Sequence, residues 1–177
     1  MIDKLEYCKS RKVKSPTRAH STDAGIDFFI PEDLTVETML KTFETTGHNL
    51  SYTLTTDGFI DEITLEAGQS VLIPSGIHVK VPEGYALIYI NKSGVGSKKN
   101  LHFGACVIDV GYQGECHINL CNVSNKTTKI KAGEKIIQAL LYPISFAQPK
   151  EIASLEELYS DGISERGAGG FGSTSDK

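Results

Sequence analysis

The residues Glu165-Arg166-Gly167-Ala168-Gly169-Gly170-Phe171-Gly172-Ser173-Thr174-Ser175 combine parts that suit a phosphorylated, ring-bearing ligand. Four glycines let the backbone approach a ligand closely. Arg166 offers a planar fork that matches phosphate oxygens. Phe171 offers a face on which a base stacks. Ser173 and Thr174 add hydroxyls and backbone N–H donors. Flexibility, a phosphate fork and a stacking ring together describe a lid for a nucleotide. Composition alone equally suits a free Gly/Ser terminus, so the order of residues and the rest of the chain must decide.

Four interior stretches carry further chemistry. In Asp23-Ala24-Gly25-Ile26-Asp27 two carboxylates bracket a glycine just before the apolar Phe28-Phe29-Ile30. Such a pair suits a capped turn, or Mg²⁺ held through its retained waters. Asn91-Lys92-Ser93-Gly94-Val95-Gly96-Ser97 places a base, a hydroxyl and a glycine before a helix start. That order turns free N–H groups and a positive dipole end toward an anion, or simply caps a turn; it is not a G-x-x-x-x-G-K loop. Gly104-Ala105-Cys106-Val107-Ile108-Asp109-Val110-Gly111-Tyr112-Gln113-Gly114-Glu115 opens with small residues fit for a tight hairpin. Asp109 then follows an apolar strand, where a carboxylate orients or deprotonates a water. Tyr112 follows by three, placed to wall off a sugar; an ordinary turn with a packed Tyr has the same sequence. In Gly133-Glu134-Lys135-Ile136-Ile137-Gln138 the amide of Gln138 lies in an apolar run, where an unpaired polar group costs about 1–3 kcal/mol. It needs a partner, either a backbone carbonyl or a site water.

These pieces must be positioned by strands. Val71-Leu72-Ile73, 77–81 and 85–90 read as short strands separated by Pro74-Ser75-Gly76 and Pro82-Glu83-Gly84, which have turn chemistry. Residues 116–120 alternate as a half-buried strand, and 136–144 read as a strand buried on both faces. Strands at this spacing predict an all-β sandwich or barrel. Helix is expected only at 93–101 and at Ser154-Leu155-Glu156-Glu157-Leu158, with Ser154 as N-cap. Residues 31–66 read as a hairpin excursion within one domain, turning at Asp57-Gly58.

The 177-residue chain is long enough for one domain with its own core. Its formal net charge of −4 disfavours binding to nucleic acid through a basic surface. No apolar run reaches the ~18 residues a membrane span needs, and the N-terminus does not read as a signal peptide. Cys8, Cys106, Cys116 and Cys121 contain no C-x-x-C pair, so reduced, mostly buried thiols and a cytoplasmic setting are expected, host cytoplasm if the source is viral. The five histidines show no ligand spacing for a transition metal.

Taken in order, the five stretches resemble the motifs of the trimeric dUTP diphosphatase (dUTPase) family: D-A-G-x-D, R-S-G or a close variant, G-x-I-D-x-x-Y-x-G, G-x-x-I-x-Q and R-G-x-G-G-F-G-S-T. The resemblance implies a jelly-roll-like β subunit, residues 1–164 with the 31–66 insertion, and a glycine-rich lid at 165–177. It implies a homotrimer whose active sites are shared between chains, with the first, second and fourth motifs from one chain, the third from another and the tail from the remaining one. The implied reaction splits dUTP into dUMP and pyrophosphate with Mg²⁺ held mainly by the triphosphate. By resemblance Asp109 activates the water and Tyr112 packs against deoxyribose. The hairpin backbone at Cys106, Val107 and Ile108 reads uracil. Lys92, Ser93, Gly94 and Gln138 serve the phosphates. Arg166, Phe171, Gly172, Ser173 and Thr174 close the site, and Asp27 meets the metal through water. Three departures stand out: Lys92 where Arg is common, Phe103 where some members carry a uracil-binding Asn, and the length of 31–66. Two other readings stay open at this point. A same-fold dCTP deaminase is not expected to carry the full tail. A regulatory binding protein would use the insertion to reach a partner.

Overall fold

Turn chemistry fixes most strand boundaries in the computed structural model, which describes residues 4–40, 51–162, 164 and 167–169. Gly76 and Gly84 close the two Pro-x-Gly turns at φ +72° and +78°, a region open to glycine at no steric cost. Twelve strands follow among the described residues: β1 (Glu6–Lys9), β2 (Ile26–Phe29), β3 (Ser51–Leu54), β4 (Ile60–Leu65), β5 (Ser70–Pro74), β6 (Ile77–Lys80), β7 (Tyr85–Asn91), β8 (Leu101–Phe103), β9 (Val107–Ile108), β10 (His117–Asn122), β11 (Thr128–Lys131) and β12 (Lys135–Pro143). Among the described residues helix is confined to α1 (36–40), which the sequence reading did not expect, α2 (Ser93–Lys99) and α3 (Leu155–Leu158). No helix among the described residues is long and apolar enough to cross a membrane.

Four antiparallel sheets result, ordered β2-β12-β7-β9, β5-β10-β8, β11-β4-β3 and β1-β6. Phe28, Leu87, Tyr89, Ile73, Ile118, Leu120 and Ile63 are among the side chains of one continuous core. There the Phe28 and Tyr89 rings meet edge to face at 5.1 Å, a geometry aromatic pairs favour. The all-β reading therefore holds. Strand β12 departs from expectation in one respect. Ile136, Ile137 and Ala139 are buried, but Tyr142 and Pro143 are exposed. The reason is its partner: β2 reaches only to Ala139, after which β12 pairs with β7 alone.

The 31–66 segment is of two kinds. The Asp57-Gly58 turn is present, with Gly58 at φ +83° and Thr55 N–H bonded to the Phe59 carbonyl at 2.8 Å. Strand β3 is exposed along its length. Strand β4 is not: it pairs with β11 and buries Ile60, Ile63 and Leu65, while Leu34 and Met39 are also fully enclosed. All four cysteines are free thiols, but only Cys116 is fully buried and Cys8 is exposed.

The chain forms two compact units, residues 1–145, which hold every strand among the described residues, and residues 146–177. In the second unit Ser154 caps α3 as its sequence predicts, its Oγ accepting the Glu157 N–H at 3.1 Å.

Candidate active site

The first half of the site is a cross-strand row. In the sheet register Asp27 of β2 stands opposite Gln138 of β12, which stands opposite Ile90 of β7. Residues opposite one another share a face, so the first and fourth motifs are brought together by pairing alone. Lys92 follows immediately where β7 ends. With Asp23, Gly25 and Lys135 these side chains line a pocket of ≈ 330 Å³. Asp27 is 3% exposed, a burial that an unpaired carboxylate does not tolerate. Two ammonium groups compensate it: Lys92 Nζ on Oδ1, and Lys135 Nζ on Oδ2 at 3.0 Å.

Gln138 has the backbone partner its sequence setting demands. Its Nε2 donates to the Asn91 carbonyl at 2.9 Å. The same amide explains the glycine of the first motif. A Cβ on Gly25 would lie 2.0 Å from Gln138 Oε1, so the amide fills the space a side chain there would take. Helix α2 begins beside this pocket. Ser93 and Gly94 are exposed, Val95 anchors the helix to the core, and the N-cap residue Lys92 makes no side-chain capping bond. The first-turn N–H groups are therefore not consumed by a cap, which suits an anion.

The second half is the hairpin after β8. Ala105, Cys106, Val107, Asp109, Tyr112 and Cys116 line part of a ≈ 230 Å³ pocket. Strand β9 holds the hairpin to β7 through the pairs Leu87↔Ile108 and Ile88↔Val107. Asp109 is exposed at the end of β9. Its carbonyl accepts the Tyr112 N–H at 3.3 Å, and Gly111 between them takes φ +84°. That turn requires a residue free to adopt positive φ, and it sets the three-residue step from carboxylate to ring. Tyr112 Oη donates to the Glu115 carbonyl at 3.0 Å, and the ring lies over Gly114, where a Cβ would meet Oη at 2.3 Å. Behind it the Glu115 carboxylate accepts Arg11 Nε and Nη2 at 2.8 and 3.1 Å and the Gly76 N–H at 2.6 Å. Burial alone would raise the Glu115 pKa, but Arg11 and the Gly76 N–H outweigh it and hold the carboxyl below its ordinary range. Burial pushes the Cys116 thiol up to about 11, so it is not a nucleophile at neutral pH.

The two pockets lie on opposite faces of one sheet. Ile90 and Gln138 face the first pocket; Tyr89, paired with Ala139, reaches the second. Successive strand residues point to opposite sides. Within this chain, then, structure gathers Asp27, Lys92 and Gln138, and separately gathers Cys106, Val107, Ile108, Asp109 and Tyr112. It does not bring the groups together. Arg166, Phe171, Gly172, Ser173 and Thr174 lie outside the described residues.

Three positions escaped the sequence reading. Lys135 sits directly before the apolar run that carries Gln138; it pairs with Phe29 across the sheet and its ammonium reaches Asp27, a contact that no spacing in the sequence signals. Glu115 and Asn119 flank the hairpin. Asn119 occupies an outward position of the alternating β10 strand, and nothing in the alternation distinguishes it from a solvated residue. Phe103 is partly buried against the core, and its N–H donates to Asn91 Oδ1 at 2.9 Å.

Comparison with known proteins assigns the chain to a family. The dUTPase family model matches residues 59–175. A deoxyuridine 5'-triphosphate nucleotidohydrolase of Azotobacter vinelandii is 39% identical over 115 residues, 63% of this chain and 72% of that protein. The enzyme of the same name from Candida albicans is 35% identical over 168 residues, 95% of this chain and 85% of the relative. Among solved structures, the dUTPase of Staphylococcus bacteriophage 80alpha with dUPNHPP superposes with a TM-score of 0.71 at 25% identity, covering 98% of this chain and 99% of that one. The family model covers well over half of the sequence, and the chain belongs to the dUTPase family.

Proposed function

We propose that this protein hydrolyses dUTP to dUMP and pyrophosphate at sites shared between the chains of a homotrimer. The observation that carries the reading is the back-to-back placement of the two pockets. A nucleotide that touches both the Asp27–Lys92–Gln138 row and the 105–112 hairpin must lie between two copies of the chain. Symmetric self-association supplies such a second copy.

The chemistry then divides between the pockets. Lys92, Ser93, Gly94, Lys135 and Gln138 receive the triphosphate with positive charge and N–H donors. The hairpin backbone from Cys106 to Ile108 reads the base, and the Tyr112 ring occupies the space a ribose 2′-hydroxyl needs. Asp109 orients a water and takes its proton while the water oxygen bonds to phosphorus. The linkage between the first and second phosphates breaks, and pyrophosphate leaves. Arg166 and Phe171 of the tail close over phosphate and base, completing the site and excluding bulk water, as lids do.

Family members use Mg²⁺, and the residues present fit an ion that arrives with the triphosphate. Among the described residues no three His, Cys, Asp or Glu side chains form a metal cage. Asp27, however, is a buried carboxylate in the phosphate pocket, and a carboxylate has about four lone-pair positions of which the lysines use two. It retains acceptor capacity for a metal-bound water. When bound, the ion supplies charge neutralisation to the phosphates. The lysines of this chain supply the rest.

Incubation of the pure protein with dUTP, dCTP and UTP in the presence of Mg²⁺, followed by product analysis, tests the reading. It predicts dUMP and pyrophosphate from dUTP and little product from UTP. Release of a deaminated product from dCTP would assign the protein to the deaminases instead. No turnover of any of the three would leave only a binding role.

A further inference from the structure

We propose that Asn119 is a positioning residue that sets uracil selectivity by fixing the base-reading hairpin. The proposal rests on the dUTP reading above, and its assignment comes from how residues 104–106 bridge two sheets. Strand β8 belongs to the β5-β10-β8 sheet, and β9 belongs to the sheet of β7. Three residues carry the chain from one to the other. On the β7 side the crossing is held by the Tyr89 N–H, which donates to the Cys106 carbonyl at 2.8 Å. On the β10 side it is held by Asn119 alone among the described residues. The Gly104 N–H donates to the Asn119 carbonyl at 3.0 Å, and the Ala105 N–H donates to Asn119 Oδ1 at 2.9 Å. Asn119 Nδ2 in turn donates to the Val71 carbonyl on β5 at 3.1 Å. Both ends of the amide are thus engaged, one on the crossing and one on the neighbouring strand.

Gly104 confirms how closely the amide and the crossing fit. A Cβ there would lie 1.7 Å from Asn119 Oδ1 and 2.8 Å from Cγ. Gly104 is not among the glycines with positive φ, so packing against Asn119, not backbone conformation, requires glycine at 104. The side chain of Asn119 thus fixes the backbone position of Ala105 and Cys106 at the mouth of the pocket. On one ring edge uracil presents a carbonyl acceptor beside an N–H donor, where cytosine presents an amino donor beside a ring-nitrogen acceptor. A main chain that reads this edge discriminates only if its own groups stay in place, because a misplacement of about 1 Å costs on the order of 100-fold.

The test is a double-mutant cycle with two readouts. Wild type, Asn119→Ala, Gly104→Ala and the double variant are compared by thermal melting and by kcat/KM for dUTP and dCTP. Asn119→Ala is expected to lower the dUTP-to-dCTP ratio about 10-fold or more, chiefly through KM for dUTP. Asn119→Asp, which keeps an acceptor for the Ala105 N–H, should retain more of the ratio. Gly104→Ala should lower the melting temperature and the ratio in wild type but do neither in Asn119→Ala, where the clashing oxygen is gone. A folded Asn119→Ala with an unchanged ratio would overturn the positioning role. Equal effects of Gly104→Ala in both backgrounds would overturn the packing on which it rests. Should Asn119→Ala fail to fold, Asn119→Ser is scored by the same criteria. Absence of dUTP turnover in wild type would refute the proposed function, and the melting cycle would still judge the Asn119–Gly104 contact.

Discussion

Replacing Gly25 with alanine isolates the contact that joins the first and fourth motifs. The added methyl carbon would sit 2.0 Å from Gln138 Oε1, 2.7 Å from Cδ and 3.2 Å from Cβ. Non-bonded carbon and oxygen require more than 3 Å, so either the Gln138 amide leaves or the β2 entry moves. The amide is the softer of the two, but leaving breaks its bond to the Asn91 carbonyl. That loss is worth about 0.5–1.5 kcal/mol, and forcing an extra methyl into a filled site adds about 1–3 kcal/mol. The sum, about 1.5–4.5 kcal/mol, lowers Tm by about 2–4 °C per kcal/mol for a chain of this size. Turnover should fall by about 10-fold or more, since the displaced amide belongs to the phosphate pocket. Melting curves and steady-state dUTP hydrolysis read the two effects. In Gln138→Ala the same glycine substitution should cost much less, because the obstructing atoms are absent. A Gly25→Ala protein that melts and turns over like wild type would refute the argument. Gly96→Ala is the control, as a Cβ there would meet nothing closer than 3.9 Å.

Other perturbations read other parts of the account. Tyr112→Ala should narrow the preference for dUTP over UTP, measured as the ratio of kcat/KM values; an unchanged ratio removes the steric account of sugar selection. The lowered pKa of Glu115 gives stability that is present above the unfolded carboxyl pKa and is lost as pH falls through the folded one. Glu115→Gln should therefore be less stable than wild type by about 1–3 kcal/mol at neutral pH, and denaturant titrations should show the gap shrinking below about pH 4.5; a gap independent of pH contradicts the Arg11–Glu115 assignment. Within the insertion, Ile63→Ala should cost about 2–5 kcal/mol, whereas Tyr52→Ala on exposed β3 should change stability by no more than about 0.5 kcal/mol; equal costs would mean that β3 is packed like β4.

The strands were legible because their turns are written in Pro, Gly and Asp, and because apolar residues alternate or run where the sheets need them. Two of the candidate motifs were legible for a different reason, since each couples a chemical group to the glycine that its local geometry requires. Gly111 between Asp109 and Tyr112 is one case, and Gly25 against Gln138 is another. What stayed hidden depends on pairing between distant strands. The burial of Asp27 between two lysines follows from register, not from spacing. Strand β4 was read as part of an excursion because its partner β11 lies more than sixty residues away. Asn119 carries a polar side chain at an outward position of a strand, and only its bonds to Ala105 and Val71 distinguish it from a solvated residue.

The central claim is that one active site takes its two pockets from different chains, and subunit mixing tests it directly. Asp109→Asn disables the hairpin pocket and should lower turnover by about 10²–10⁴-fold. Lys92→Met disables the phosphate pocket and leaves Asp109 intact. Each variant alone should be nearly inactive. After denaturation and refolding of an equal mixture, a site is sound when it draws its hairpin from a Lys92→Met chain and its phosphate pocket from an Asp109→Asn chain. With random assembly of a closed trimer this holds for about one quarter of the sites. The account predicts recovery of about 25% of wild-type dUTP hydrolysis. Mixed trimers that form, as shown by mass, and yet remain as inactive as the parents would contradict it.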